Sequence, residues 1–253
     1  MGDLTRQSPK CLLEVASRSI VERALQELAA VGVTEAVLVV GYGASQVRRL
    51  IGPVYAGMHV EYVVNDHHAD TNTAYSLWLA RDYLSVDCIL VEGDILFDYR
   101  VMQFIVACSR HCSAWAGVPV GDHAAEGVLL RRGMDGRVSS VELVRTPTGR
   151  PAGLDFKCAG IQLVRAELGR MLANALEQEV VRHGRAQTYA DLVLGGLLHK
   201  SVMTLCSLDG MRWAEVDTPD DLSRARRLFA STAGEAPGAS LETHQEGRLD
   251  RPS

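Results

Sequence analysis

The chain has 253 residues, 47% of them hydrophobic and 23% charged, with a formal net charge of -5. That length suits one sizeable core, and the acidic balance gives no overall basic footprint for nucleic acid or for an anionic membrane surface. The longest apolar runs fall far short of the about 20 residues that a membrane span needs. The N-terminus lacks a charged-then-apolar export pattern. The expectation is a cytoplasmic protein with no membrane or nucleic-acid partner, its oligomeric state left open.

In chain order, residues 19–31 read as an amphipathic helix, 35–40 as a buried strand, 44–51 as a helix and 59–64 as a strand. Residues 72–84 then read as a helix, 87–91 as a strand and 99–108 as a helix. This alternation predicts β-α units on a mostly parallel sheet, and AVLVV and CILV are apolar enough for strands covered on both faces. After Cys112 the pattern loosens into β-like pieces at 114–120, 126–130, 138–144 and 156–164. Helices over 165–181 and 189–198, strands near 201–206 and 211–216 and a helix over 219–229 complete it. Beyond Ser231 the composition turns to Ala, Gly, Glu, Ser and Pro without periodicity. One domain over residues 1–230 and a disordered tail over 231–253 are therefore expected. The scattered cysteines, Cys11, Cys88, Cys108, Cys112, Cys158 and Cys206, read as reduced core residues rather than a disulfide framework.

Three local patterns carry chemistry. The run CILVEGDILF at residues 88–97 is a buried strand ending in a turn that lifts Asp94 into the crevice above a sheet, where ligands of open α/β sheets bind. Alone, Gly93-Asp94 is an ordinary turn pair. In WAEVDTPDDL at residues 213–222, Glu215 and Asp217 leave one strand face at i and i+2, costly without a cation. Thr218 then reads as an N-cap, Pro219 as the first helical residue and Asp221 as the capping partner. In LTRQSPKCLLEV at residues 4–15, Lys10 follows a proline and precedes an apolar run, a fixed point charge suited to a phosphate chain. Lys157, inside an otherwise apolar strand, either snorkels to the edge or has an anionic partner, and the partner is the favoured reading. Magnesium, held by one or two carboxylates, waters and phosphates, fits Asp94 with Glu215 and Asp217.

These pieces occur together and in order. With VVGY at residues 39–42, NDHHADTNTAYSLWLAR at 65–81 and KCAGI at 157–161, they resemble the nucleoside-triphosphate transferases of GT-A, Rossmann-like type. The resemblance implies a three-layer α/β fold on a mixed sheet, and transfer of a nucleotidyl group from a nucleoside triphosphate to a small phosphorylated acceptor, with pyrophosphate released. It also implies that Lys10 contacts phosphates, that Asp94, Glu215 and Asp217 bind Mg²⁺, and that Lys157 contacts the acceptor phosphate. The segment around Asn72 looks more like CTP:phosphocholine cytidylyltransferases and their phosphonate-activating relatives than sugar-1-phosphate enzymes, so CTP is the favoured nucleotide. Asn72 and Tyr189 are the expected substrate contacts. Trp78, Trp115, Tyr189 and Trp213 are aromatic faces available to a choline head. Family members begin with a strand and a glycine-rich LAAGxGxR loop that cradles the triphosphate. Met1 to Thr5 looks like the sequence just past that loop, so the expectation is a fold lacking its first strand, by a start assigned at an internal Met or by true truncation.

Other readings compete with this one. A UTP-, dTTP- or GTP-dependent sugar-1-phosphate transferase is the alternative within the class. Gly41-Tyr42-Gly43 could open a dinucleotide-binding turn, but Gln46 stands where the third glycine is needed. Cys108, His111 and Cys112 lack the second ligand cluster of a structural zinc site, and His67 and His68 read as solvated loop residues. A degenerate, non-catalytic transferase fold gains from the missing loop and loses from the intact carboxylates.

Overall fold

The computed structural model describes residues 6, 8–109, 112–120, 126–145 and 153–230. The expected tail and His111 lie outside them. After a 3-10 turn at Lys10–Leu12, a two-residue turn at Ala16 and Ser17, both at positive φ, joins β1 (Glu14–Val15) to β2 (Arg18–Ser19). Ser19 then caps α1 (Ile20–Ala30) through a capping box with Glu22. Next come β3 (Glu35–Val40), α2 (Ala44–Ile51), β4 (Val54–Tyr55), β5 (Met58–Val64) and α3 (Thr73–Leu79). β6 (Cys88–Val91), β7 (Ile95–Phe97) and α4 (Tyr99–Cys108) lead to β8 (Ser113–Pro119), β9 (Gly127–Arg132), β10 (Val138–Val144) and β11 (Phe156–Val164). The chain then forms α5 (Ala166–Glu177), α6 (Ala190–Gly195), β12 (Met203–Ser207), β13 (Trp213–Glu215) and α7 (Pro219–Phe229).

A six-stranded mixed sheet, ordered β10-β9-β11-β8-β12 with β6 also on β11, forms the middle layer. Alternate side chains of its strands feed two different cores, as period-2 geometry requires. Trp115, Cys158, Val164 and Leu205 pack with Leu168, Leu172 and Leu176 of α5 and Leu194 of α6. On the other face Ala114, Ala116, Ile161 and Cys206 meet Val101, Met102 and Ile105 of α4. The result is the expected three-layer α/β arrangement.

The expected mostly parallel direction is corrected: among the described residues only β3/β5 and β8/β12 pair in parallel. Among the described residues no helix separates β8, β9, β10 and β11, and strands joined without a crossover helix fold back antiparallel.

β3 pairs only with β5, and β6 only with β11, among the described residues. Among the described residues the two strands therefore belong to separate sheets, each with one edge unpaired. Residues 36–39 of β3 and the whole of β6 are half-buried rather than buried. Both are nonetheless bracketed by the same helices. α1 packs Leu28 against the clusters containing Val91 and Leu38, and α3 touches β3 while packing beside Leu90.

Candidate active site

Four chain segments converge at one end of the sheets. β6 ends at Val91, and the turn Glu92-Gly93-Asp94 passes directly into β7, with Ile95 N–H donating to the Glu92 carbonyl at 3.4 Å. β7 pairs antiparallel with β13, matching Ile95 to Glu215, and the Val216 N–H donates to the Asp94 carbonyl at 3.1 Å. Asp94 is thereby fixed beside Glu215 and Asp217. Val216 is fully buried between those two acids, so the alternation read from the sequence turns both away from the core. Asp217 is held from below by the helix start: Asp221 Oδ2 accepts from the Asp217 N–H at 3.2 Å and the Thr218 N–H at 2.7 Å.

β11 supplies the fourth segment. Its burial is complete except at Lys157, which alone is half-exposed. Between Cys158 and Gln162 the register with β8 shifts, and Gly160 sits at φ 67° in that bulge. A Cβ there would meet Ile95 Cγ1 at 2.8 Å and Glu92 Oε2 at 3.2 Å, so only glycine lets β11 lie this close to the turn that carries Asp94. The bulge is tied on both sides, by the Glu92 N–H to the Gly160 carbonyl at 2.9 Å and by Trp213 Nε1 to the Ala159 carbonyl at 2.8 Å.

Each predicted lysine meets predicted carboxylates. Lys10 Nζ donates to Asp217 Oδ1 at 2.6 Å and reaches Asp94 Oδ2 at 3.4 Å. Lys157 Nζ bonds Glu215 Oε2. Burial raises the pKa of Asp94, Lys10 opposes it, and the Asp217 charge adds to the rise. Burial likewise raises Glu215 against the pull of Lys157. Burial works against the charge of Lys10 and of Lys157, yet their carboxylate partners leave both raised and firmly protonated. Among the described residues, no three His, Cys, Asp or Glu side chains are grouped to hold a metal ion; lysine ammoniums face the carboxylates instead.

Asn72 and Tyr189 mark two helix starts that dock on each other. Asn72 caps α3 by accepting from the Thr73 N–H at 2.8 Å, and Tyr189 occupies the N-cap of α6. The Asn72 N–H donates to the Ala186 carbonyl at 2.9 Å and the Ala190 N–H to Thr73 Oγ1 at 2.9 Å, docking the two helix starts. Of the other aromatics, Trp115 is fully buried against Cys158, and Arg81 stands 4.7 Å over the Trp78 ring. His68 lies against Gly41, where a Cβ would meet its Cβ at 2.5 Å. All six cysteines are free.

One polar group was not predicted. Glu92 lies beside Asp191, which accepts from Gln162 Nε2 at 2.8 Å and contacts Cys158 Sγ at 3.5 Å. Burial, followed by the charges of Asp191, Asp94 and Glu215, pushes Glu92 up to about 8. Burial raises Asp191 as well. The available signal was a glutamate directly after an apolar strand; its partner in α6, a hundred residues away in the chain, has no local signature.

A model of the MobA-like NTP transferase domain matches residues 1–152. The chain belongs to that family. Its relatives include the CMP-5'-(3-aminopropyl)phosphonate synthase of Streptomyces rubellomurinus, 35% identical over 91% of this chain and 37% of the relative. The bifunctional IPC transferase and DIPP synthase of Aquifex aeolicus is 23% identical over 91% of this chain and 49% of its own. The chain thus spans between about a third and a half of the length of these curated relatives. Among solved structures, the CTP:phosphocholine cytidylyltransferase of Streptococcus pneumoniae superposes with a TM-score of 0.72 at 18% identity, covering 90% of this chain and 92% of that one. The inositol-1-phosphate CTP transferase of T. maritima gives 0.70 at 18% identity, covering 92% and 91%. These place the fold of this MobA-like domain among nucleotidyltransferases.

Proposed function

We propose that this domain transfers a nucleotidyl group, CMP by preference, from a nucleoside triphosphate to a small phosphorylated or phosphonate acceptor and releases pyrophosphate. The carrying observation is the convergence of Lys10, Asp94 and Asp217 with Lys157 and Glu215 at the sheet ends. Two lysines and three carboxylates held in one half-buried place match the needs of phosphoryl chemistry, positioning and charge neutralisation. An acceptor that carries an amine is favoured, because the relative at 35% identity is named for an aminopropylphosphonate product.

In this reading Lys10 holds the phosphates of the nucleotide and Lys157 holds the acceptor phosphate or phosphonate. Asn72 and Tyr189 line the substrate side. An acceptor oxygen, already ionised near neutral pH, attacks the α-phosphorus; that P–O bond forms, the bond from the α-phosphorus to the bridging oxygen breaks, and pyrophosphate leaves with the electron pair. No side chain is required as general base. Asp94, Glu215 and Asp217 are hard oxygen donors whose charge two lysines do not fully cancel, a set that suits Mg²⁺. Bound there, Mg²⁺ supplies neutralisation of the phosphate oxygens.

Pyrophosphate release across four nucleoside triphosphates, with phosphocholine, aminoalkylphosphonates and sugar 1-phosphates, tests this. CTP with an amine-bearing acceptor is expected to lead, with loss in EDTA. Asp94→Ala and Asp217→Ala are each expected to cut turnover by about two orders of magnitude or more with the circular dichroism spectrum unchanged. Normal turnover in either variant rules out the assignment.

A further inference from the structure

We propose that the cleft between α5 and α6 is a second ligand site, one that takes a small amphiphilic monoanion of the medium-chain carboxylate kind and, when filled, steadies the loop leading to Tyr189. The cleft has a volume of about 690 Å³, within the about 300–1,000 Å³ of small-ligand pockets. Met171, Ala175 and Gln178 border it from α5 and the turn that ends that helix, and Val193, Gly196, Leu197 and Lys200 border it from α6 and the turn that follows. Both sets recur at the three- and four-residue spacing of one helix face. Gly195 is seated on Val141 of β10, where a Cβ would lie 2.8 Å from the Val141 Cβ, so α6 is held down on the sheet beside the cleft. Val193 and Leu197 are buried and make an apolar floor. At the rim, the Glu179 carboxylate already faces Arg185 Nη1 at 3.3 Å and His183 Nδ1 at 3.3 Å. Lys200 is exposed and has no such partner among the described residues. An uncommitted ammonium above an apolar floor matches a ligand with one negative charge and an apolar body.

The backbone around the cleft leads to the start of α3. α5 ends in a π turn, Gln178–Arg182, in which the His183 N–H donates to the Gln178 carbonyl at 2.9 Å. Such turns are rare and recur at functional sites, and this one sets Gln178 and Glu179 on the cleft. From there the chain runs to Tyr189 through Arg185 and Thr188, which line the cleft as well. The same stretch holds α3: the Ala186 carbonyl accepts from the Asn72 N–H at 2.9 Å, and the Thr188 carbonyl from the Ala74 N–H at 3.1 Å. A ligand held against Arg185 and Thr188 therefore restrains the residues to which the start of α3 is bonded. Only the consequence for the acceptor, which Asn72 and Tyr189 are read to contact, rests on the function proposed above.

Octanoate, titrated calorimetrically into the full chain, tests the site without reference to turnover. Saturable binding is expected, with octanol, which has the apolar body and no charge, about tenfold weaker, the factor that one charge-assisted contact carries. Lys200→Gln, at an exposed position, is expected to weaken octanoate by the same factor and to leave octanol unchanged. Gly196→Leu is expected to abolish binding by filling the cleft. Its backbone is helical at φ -62°, and a Cβ there would come no nearer than 3.3 Å to the Val193 carbonyl oxygen. Circular dichroism confirms that each variant is folded. Amide exchange at Asn72 and Ala74 is expected to slow severalfold with octanoate bound. Octanoate that fails to saturate, or that binds Lys200→Gln and Gly196→Leu as it binds wild type, overturns the site. Saturable binding with exchange at Asn72 and Ala74 unchanged overturns the link to α3. Pyrophosphate release enters neither outcome, so this inference and the nucleotidyl-transfer reading fail separately.

Discussion

Glu92 shows how far surroundings can move one side chain. Its folded-state pKa, raised to about 8 by burial and neighbouring acids, lies well above the ordinary glutamate value near 4.3. The folded protein therefore holds a proton that the unfolded chain has lost between those limits. Stability contributed in this way is fully present below the unfolded pKa and is lost as pH rises toward 8. In EDTA, the urea midpoint is expected to fall steadily from pH 5 to pH 8, and Glu92→Gln, a permanent neutral mimic, is expected to flatten the decline. An unchanged slope in the variant contradicts this origin. Individual site residues were legible to different degrees for the same kind of reason. Lys157 stood out because one charge in a nine-residue apolar strand is conspicuous, and its half-exposure in β11 matches that. Its partner Glu215 lies on another strand, and no local pattern could pair the two.

At the scale of elements, sequence periodicity worked where an element is long or well capped. β3, α2, α4, β10, β11 and α7 begin and end where the sequence places them. The Thr218-Pro219-Asp221 start of α7 forms the capping box that the residues specify. Two- and three-residue strands such as β1, β2, β4 and β7 are too short to show an alternation. The helix read over residues 72–84 instead splits into α3 and a 3-10 turn at Arg81–Ser85, with the Arg81 side chain donating to the Trp78 carbonyl at 2.9 Å. That turn explains a glycine near the start of α5. A Cβ on Gly169 would lie 2.0 Å from the Leu84 carbonyl oxygen. Helix propensity alone gives Gly169→Ala a gain of about 1 kcal/mol, whereas the backbone clash gives a loss of about 1–3 kcal/mol or more. The clash is expected to dominate, lowering the urea midpoint; a stabilised variant shows that the two elements can separate freely.

On the scale of the whole molecule, one line stands apart from the rest. The layers, the two cores and the site are in place, and the solved structures agree in fold, yet among the described residues β3 and β6 each present an unpaired edge. Their apolar sequence is written for burial on both faces, while their residues remain half-exposed between helices that cover them from either side. Edges of this kind bind an additional strand readily, and the backbone groups along them gain hydrogen bonds only from one. The sequence disclosed the apolar strands but not the parallel or antiparallel sense of their neighbours, which long-range pairing decides. An apolar peptide of strand length, added in trans, is expected to dock along that line. The melting temperature of the chain is then expected to rise by about 5 °C or more, given roughly 2–4 °C per kcal/mol for a domain of this size. Amide exchange should slow at Val37, Val39, Ile89 and Val91 and stay unchanged in β10, which lies at the far edge of the larger sheet. Equal melting temperatures and equal exchange with and without the peptide mean that β3 and β6 already meet their own hydrogen-bonding needs.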